Sequence, residues 1–129
     1  MKAYRLLTLA GLLGVVPITA CSNSTGPTAV ALNVRLSSPN TDDGAVLLTI
    51  SGGPVDSVEA VGYTVYMARA GAETLRLIVT GDLGPGPIAR IHVPDGRQVS
   101  RYSVSIGQVA ARVTYAQRDP VPYSASLLR

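Results

Sequence analysis

The stretch "VALNVRL", Val30–Leu36, sets Val30, Leu32, Val34 and Leu36 on alternate positions, with Ala31, Asn33 and Arg35 between them. A period of two puts every second side chain on one face of an extended strand; a helix would need apolar residues three and four apart. The same period returns at Val46, Leu48 and Ile50, at Tyr63, Val65 and Met67, and at Leu75, Leu77 and Val79. It returns again at Ala89, Ile91 and Val93 and at Tyr102, Val104 and Ile106. Between the runs lie "SSPNTDDG", "SGGP", "RAGAE", "GDLGPGP" and "VPDGRQ", rich in the residues that stabilise turns. Short alternating runs with turns at close intervals predict an all-β chain folded as a single antiparallel β-sandwich of about seven strands.

The later part of the chain leaves two alternatives open. Val109 to Tyr115 either continues the sixth run past Gly107 or forms a strand of its own, "RDPVP" ends it, and Tyr123 to Leu128 closes the fold. Val55 to Ala60 has room for one helical turn, and no other helix is expected after residue 20.

Ahead of the sandwich the composition changes. Lys2 and Arg5 precede an apolar core from Leu6 to Val16, followed by small Thr19 and Ala20. That is the layout of a secretory signal. A spanning helix needs roughly 20 apolar residues to cross about 30 Å of hydrocarbon. This core is shorter and is interrupted by Thr8, Gly11 and Gly14. Residues 1–20 are therefore expected to be a cleaved leader, residues 21–28 a short tether that includes "SNSTGPT", and residues 29–129 the sandwich.

Cys21, the chain's single cysteine, stands at the boundary. Ile18, Thr19, Ala20 and Cys21 resemble the lipobox of bacterial lipoproteins. The resemblance implies that the Cys21 thiol receives a diacylglyceryl group, that a peptidase cuts before it, and that the freed amine is acylated. Two or three acyl chains hold a protein stably on a membrane, where one chain does so only marginally. Ser22 is not the aspartate that retains such proteins at the inner membrane of Gram-negative bacteria. The expected location is thus a cell membrane, with the domain facing the periplasm or the cell exterior, and the outer membrane in a Gram-negative host. The seven residues from Ser22 to Thr28 reach at most about 25 Å, so the domain stays close to its membrane.

Removal of residues 1–20 leaves nine arginines against eight acidic residues, a net charge near +1. The arginines are scattered from Arg35 to Arg129 rather than gathered on one segment, which argues against a nucleic-acid partner. With no Trp, no Phe and five tyrosines after residue 20, the core must be built from Val, Leu, Ile and Ala.

The inventory for catalysis is thin. His92, the only histidine, alternates with Ile91 and Val93 and so belongs to the outer face of its strand; no G-x-S-x-G motif supplies it with a nucleophile. Gly84 to Ala89 fits G-x-G-x-x-A by spelling, but two prolines remove backbone donors and a strand follows in place of a helix. Asn40, Asp42 and Asp43 in "PNTDDG" offer oxygen ligands of the kind calcium takes, without the spacing of an EF-hand loop, and also suit an ordinary turn. Asp82 and Asp95 read as turn residues, and "NST" at Asn23–Thr25 as an unused glycosylation acceptor. No enzyme activity, cofactor or metal is expected.

From Leu32 to Arg118 the order of pieces is similar to that of cohesin-like domains, a family of immunoglobulin-like sandwiches: an opening strand, an acidic loop before "GAVLLTI", then "LIVTGDLGPGPIARIHV". The chain is shorter than typical members and poorer in aromatic residues. The resemblance implies an extracellular module that binds a protein or a carbohydrate through a sheet face, and no binding residue carries over from it. Alternation turns Tyr66 and Ile78 away from the core-facing set, and these two are the candidate ligand-contacting residues. The competing expectation is a structural or assembly subunit of an envelope complex that pairs with its partner through an edge strand.

Overall fold

A computed structural model describes residues 26–129. Cys21, the leader and most of the tether lie outside the described residues. The rest is a sandwich of nine strands: β1 (Val30–Ser37), β2 (Asp43–Ser51), β3 (Ser57–Ala60), β4 (Thr64–Gly71), β5 (Thr74–Leu83), β6 (Gly86–Val93), β7 (Ser103–Ala111), β8 (Gln117–Arg118) and β9 (Ser124–Leu128). One sheet has the order β3-β6-β1-β9 and the other β4-β5-β2-β7-β8, with every pairing antiparallel.

The alternation seen in the sequence is what packs the two sheets together. Leu32, Val34 and Leu36 of β1 and Leu48, Leu77 and Ile91 of their neighbours are all buried in one continuous core. Burying one such side chain is worth about 1.5–3 kcal/mol. The buried set among the described residues is Val, Leu, Ile and Ala apart from Tyr123, and Tyr63 and Tyr102 pack against it as partly buried residues.

Several local features differ from the sequence reading. The strand count is nine, because β3 and the two-residue β8 carry too little apolar alternation to be seen. Val55–Ala60 makes no helical turn: Asp56 N–H donates to the His92 carbonyl at 2.8 Å, and Ser57–Ala60 pairs along β6. Gly96–Arg101 forms a 3-10 turn, capped by the Asp95 side chain on the Arg97 N–H at 3.0 Å. Met67, expected to face the core, is half exposed, since β4 is the outermost strand of its sheet and overhangs the packed centre.

The question over Gly107 is resolved in favour of one strand. β7 runs through it with a register shift opposite Leu47 and Leu48, and that extra residue restores the inward alternation at Val109 and Ala111. Asp82 belongs to β5 rather than to a turn, just past Gly81, whose φ of +141° only glycine adopts freely. At the other end of the sandwich Gly52 has φ +108°, and a Cβ there would lie 1.8 Å from the Arg101 carbonyl oxygen.

Strand direction gives the molecule two ends. The tether enters at Thr28 beside the 3-10 turn, where the Gly96 N–H donates to the Thr28 carbonyl at 2.8 Å. The opposite end carries the β1–β2 loop, the β7–β8 turn and the β8–β9 connection.

Candidate functional site: the outer face of the five-stranded sheet

Antiparallel register aligns Tyr66 of β4 with Ile78 of β5, Ile78 with Leu47 of β2, and Leu47 with Gln108 of β7. These four residues form one row across the solvent-facing side of the sheet. Directly opposed residues on neighbouring strands have side chains about 5 Å apart and in contact, so the row is continuous. Tyr66 is 60% exposed and Ile78 43%. The two residues singled out by alternation are therefore brought side by side, and the sequence missed that Leu47 and Gln108 extend the row, because pairing register is not written in either strand alone.

Two shallow depressions flank the Leu47–Ile78 pair. One, of about 320 Å³, is bounded by Tyr66, Ala68 and the stem of Arg76, and is almost wholly apolar. The other, of about 260 Å³, is bounded by Ala45, Gln108, Tyr115 and Gln117. Neither is lined by a carboxylate. Both are open to solvent, so they suit a ligand that lies across the sheet rather than a small molecule enclosed by it.

Tyr115 holds its place at a conformational cost. It sits in the β7–β8 turn with φ +55°, the only residue other than glycine with positive φ among the described residues. The turn is closed by the Tyr115 N–H on the Ala111 carbonyl at 3.1 Å and the Ala111 N–H on the Ala116 carbonyl at 2.9 Å. A left-handed position in such a turn ordinarily takes glycine or asparagine. The ring is nonetheless 81% exposed, so it gains little from packing within the chain. Val113 and Val121, also more than four-fifths exposed, accompany it at the end of the domain away from Thr28.

The acidic loop has a structural role. Asp43 is fully buried and accepts hydrogen bonds from Tyr123 Oη at 2.8 Å, from Arg118 Nη1 at 2.7 Å and from the Ser38 hydroxyl. Arg118 also grips Asp42 through both terminal nitrogens, at 2.8 and 2.9 Å, and Asn40 Nδ2 donates to Tyr123 Oη at 2.8 Å. The Arg118 hydrogen bond holds the Asp42 carboxyl below its ordinary range, and the guanidinium pKa is raised in turn, chiefly by Asp42. Asp42 and Asp43 thus spend their oxygens on Arg118, Tyr123 and Ser38, Asn40 donates its amide to Tyr123, and no group of three or more His, Cys, Asp or Glu residues placed to hold a metal occurs among the described residues. Tyr123 leads into β9 of one sheet while Asp43 and Arg118 belong to the other, so this network ties the sheets together at one end.

His92 lies on the outer face of the four-stranded sheet, as alternation placed it. Its Nε2 is 3.2 Å from Glu59 Oε2, which also faces Arg90 Nη1 at 3.7 Å. Ser57 stands opposite His92 in register, yet its hydroxyl makes no hydrogen bond to the ring, so no nucleophile and base are coupled there. Gly84–Ala89 contributes the β5–β6 turn and the start of β6, with no helix after it.

Among the described residues no helix is long and apolar enough to cross a membrane. No protein-family model, curated protein or solved structure matches the chain.

Proposed function

We propose that this protein is a lipid-anchored component of a bacterial cell envelope, and that its sandwich is a non-catalytic module binding a protein or carbohydrate through the outer face of the five-stranded sheet. Acylated Cys21 attaches it to the membrane, the outer membrane in a Gram-negative host, and the domain faces the periplasm or exterior. The observation that supports the binding role is the Tyr66–Ile78–Leu47 row, an apolar strip on a face that water would otherwise favour with polar side chains. The experiment is to compare what copurifies with the full chain and with a Tyr66→Ala, Ile78→Ala double variant. Loss of a ligand with retention of fold supports the role; unchanged copurification overturns it.

A second reading, an assembly subunit joined through an edge strand, is favoured by β4. It is eight residues long at the border of its sheet, with Tyr66 and Met67 exposed and no lysine or proline to discourage pairing. The remaining edges are short: four residues in β3, two in β8 and five in β9. Edge pairing would depend on the β4 backbone, so a proline at Ala68 would abolish it while the Tyr66 and Ile78 truncations would not.

A further inference from the structure

We propose that the free edge of β4 pairs with β4 of a second copy of this chain, antiparallel about a two-fold axis at Met67, so that two five-stranded sheets join into one. This inference rests on the edge-strand reading of β4 and names its partner; the sheet-face reading does not depend on it.

The first observation is that β4 is open along its edge and on both of its sides. It is hydrogen-bonded to β5 alone. The N–H and C=O groups of alternate residues therefore point away from the sheet, and among the described residues no backbone bond outside the β4–β5 ladder takes them up. An edge strand ordinarily keeps its inward side chains covered, yet every residue of β4 except Val65 is exposed. Tyr66, on the solvent-facing side, is 60% exposed, and Met67, on the side that faces the other sheet, is 50% exposed. β3, its neighbour at the border of the other sheet, has four residues against the eight of β4 and leaves part of it uncovered. An extended row of backbone donors and acceptors is matched by another extended row. Apolar side chains on both sides of that row call for a strand uncharged at its middle and apolar on both of its own sides.

The second observation is that β4 meets this requirement for its own copy. A two-fold axis at Met67 pairs seven of its eight residues: Met67 with the partner's Met67, Tyr66 with the partner's Ala68, Val65 with the partner's Arg69 and Thr64 with the partner's Ala70. Opposed residues lie on the same face, so each Tyr66 ring covers an alanine and the two methionines meet over the seam between the sheets. The single charge of the strand is held within its own chain, Arg69 Nη1 donating to the Val55 carbonyl at 2.8 Å and Nη2 to the Asp56 carbonyl at 3.4 Å. The two copies of Arg69 stand about 13 Å apart along the strands, so no like charges are opposed. A patch that complements itself about a two-fold axis gives a closed pair, the commonest form of self-association. Antiparallel pairing sets the two Thr28 ends at opposite ends of the pair, and tethers that each reach about 25 Å allow it to lie flat along one membrane.

The test is sedimentation equilibrium of the purified full chain in density-matched detergent over a range of concentrations, beside non-reducing electrophoresis of oxidised cysteine variants. The parent is expected to sediment as two copies. Met67→Lys sets two charges against each other where pairing excludes water, and is expected to weaken the pair about tenfold. Met67→Cys is expected to form a disulfide between copies, because directly opposed strand residues hold their Cα atoms about 4.5–5.5 Å apart, within disulfide reach. Arg35→Cys, on the outer face of the four-stranded sheet, is expected to add no crosslink over the parent. Circular dichroism of each variant verifies that the sandwich remains folded. A single copy at every concentration, a pair indifferent to Met67→Lys, or no more crosslinking from position 67 than from position 35 overturns the inference. If the chain is single while Ala68→Pro still loses a copurifying protein, the edge pairs with a different chain and the edge-strand reading stands; if Ala68→Pro changes nothing either, both fail.

Discussion

Arg118 reaches from the two-residue strand β8 to place Nη1 2.7 Å from Oδ1 of Asp43, a carboxylate with no exposure to solvent. Burying an ion is costly unless its lone pairs are satisfied, and here Tyr123 and Ser38 complete the set. Among the described residues no buried polar side-chain atom is left without a partner. The pair therefore keeps β8 attached and closes one end of the sandwich.

Truncation of Asp43 should be severe. Asp43→Ala takes the acceptor from the Tyr123 and Ser38 hydroxyls at the core edge while Arg118 keeps Asp42, and about 1–3 kcal/mol of stability is expected to be lost. Asp43→Asn keeps the shape and part of the hydrogen bonding, so it should cost less. Urea denaturation of both variants against the parent checks the ranking.

Acid should destabilise the fold through Asp42 and Asp95. Arg118 lowers the pKa of the first below its ordinary value of 3.8, and Arg97 does the same to the second. The unfolded chain then takes up protons more readily than the folded one, so this contribution is complete above the ordinary value and disappears as pH falls through the lower, folded values. Urea midpoints measured from about pH 5 down to about pH 2 should fall steadily. Arg118→Gln should make that fall shallower, because the largest cause of the lowered Asp42 value is then gone.

Tyr115 offers a separation of stability from function. Tyr115→Gly places the residue suited to φ +55° in the turn and removes a ring that is mostly in water. Its stability is expected to stay within about 0.5 kcal/mol of the parent or to rise, since relief of the left-handed strain offsets the entropy of a new glycine. Ligand affinity should drop. Thermal melts read beside binding titrations test both halves.

The proposed anchor is tested by mass. Membrane-extracted protein should begin at Cys21 and be heavier than its chain by two or three acyl groups, and Cys21→Ala should abolish both the added mass and the membrane association. A chain of unmodified mass would leave a secreted sandwich in place of a lipoprotein.

What could be read from the sequence was what repeats. Alternation in Val30–Leu36 and Leu75–Val79 is a statement about single strands, and it placed the core residues and turned Tyr66 and Ile78 outward. Met67 escaped it, because whether a strand lies at the edge depends on sheet order. β8 escaped for a related reason: Gln117 and Arg118 carry no apolar alternation, and the strand exists because Arg118 meets Asp42 and Asp43. Those two aspartates looked like a turn or a cation loop, since their partner lies some 75 residues away. The proposed ligand face was half legible. Its apolar members follow from period two, whereas the join to Leu47 and Gln108, and the convergence of Tyr115 and Gln117 on the same groove, depend on register across four strands.

The most direct test of the binding face is photo-crosslinking in intact cells, with a benzophenone amino acid placed at Ile78 and, in a separate strain, at Arg35 on the outer face of the opposite sheet. The account predicts a discrete adduct from position 78 and none from position 35. No adduct at 78, or the same adducts from both positions, would contradict it.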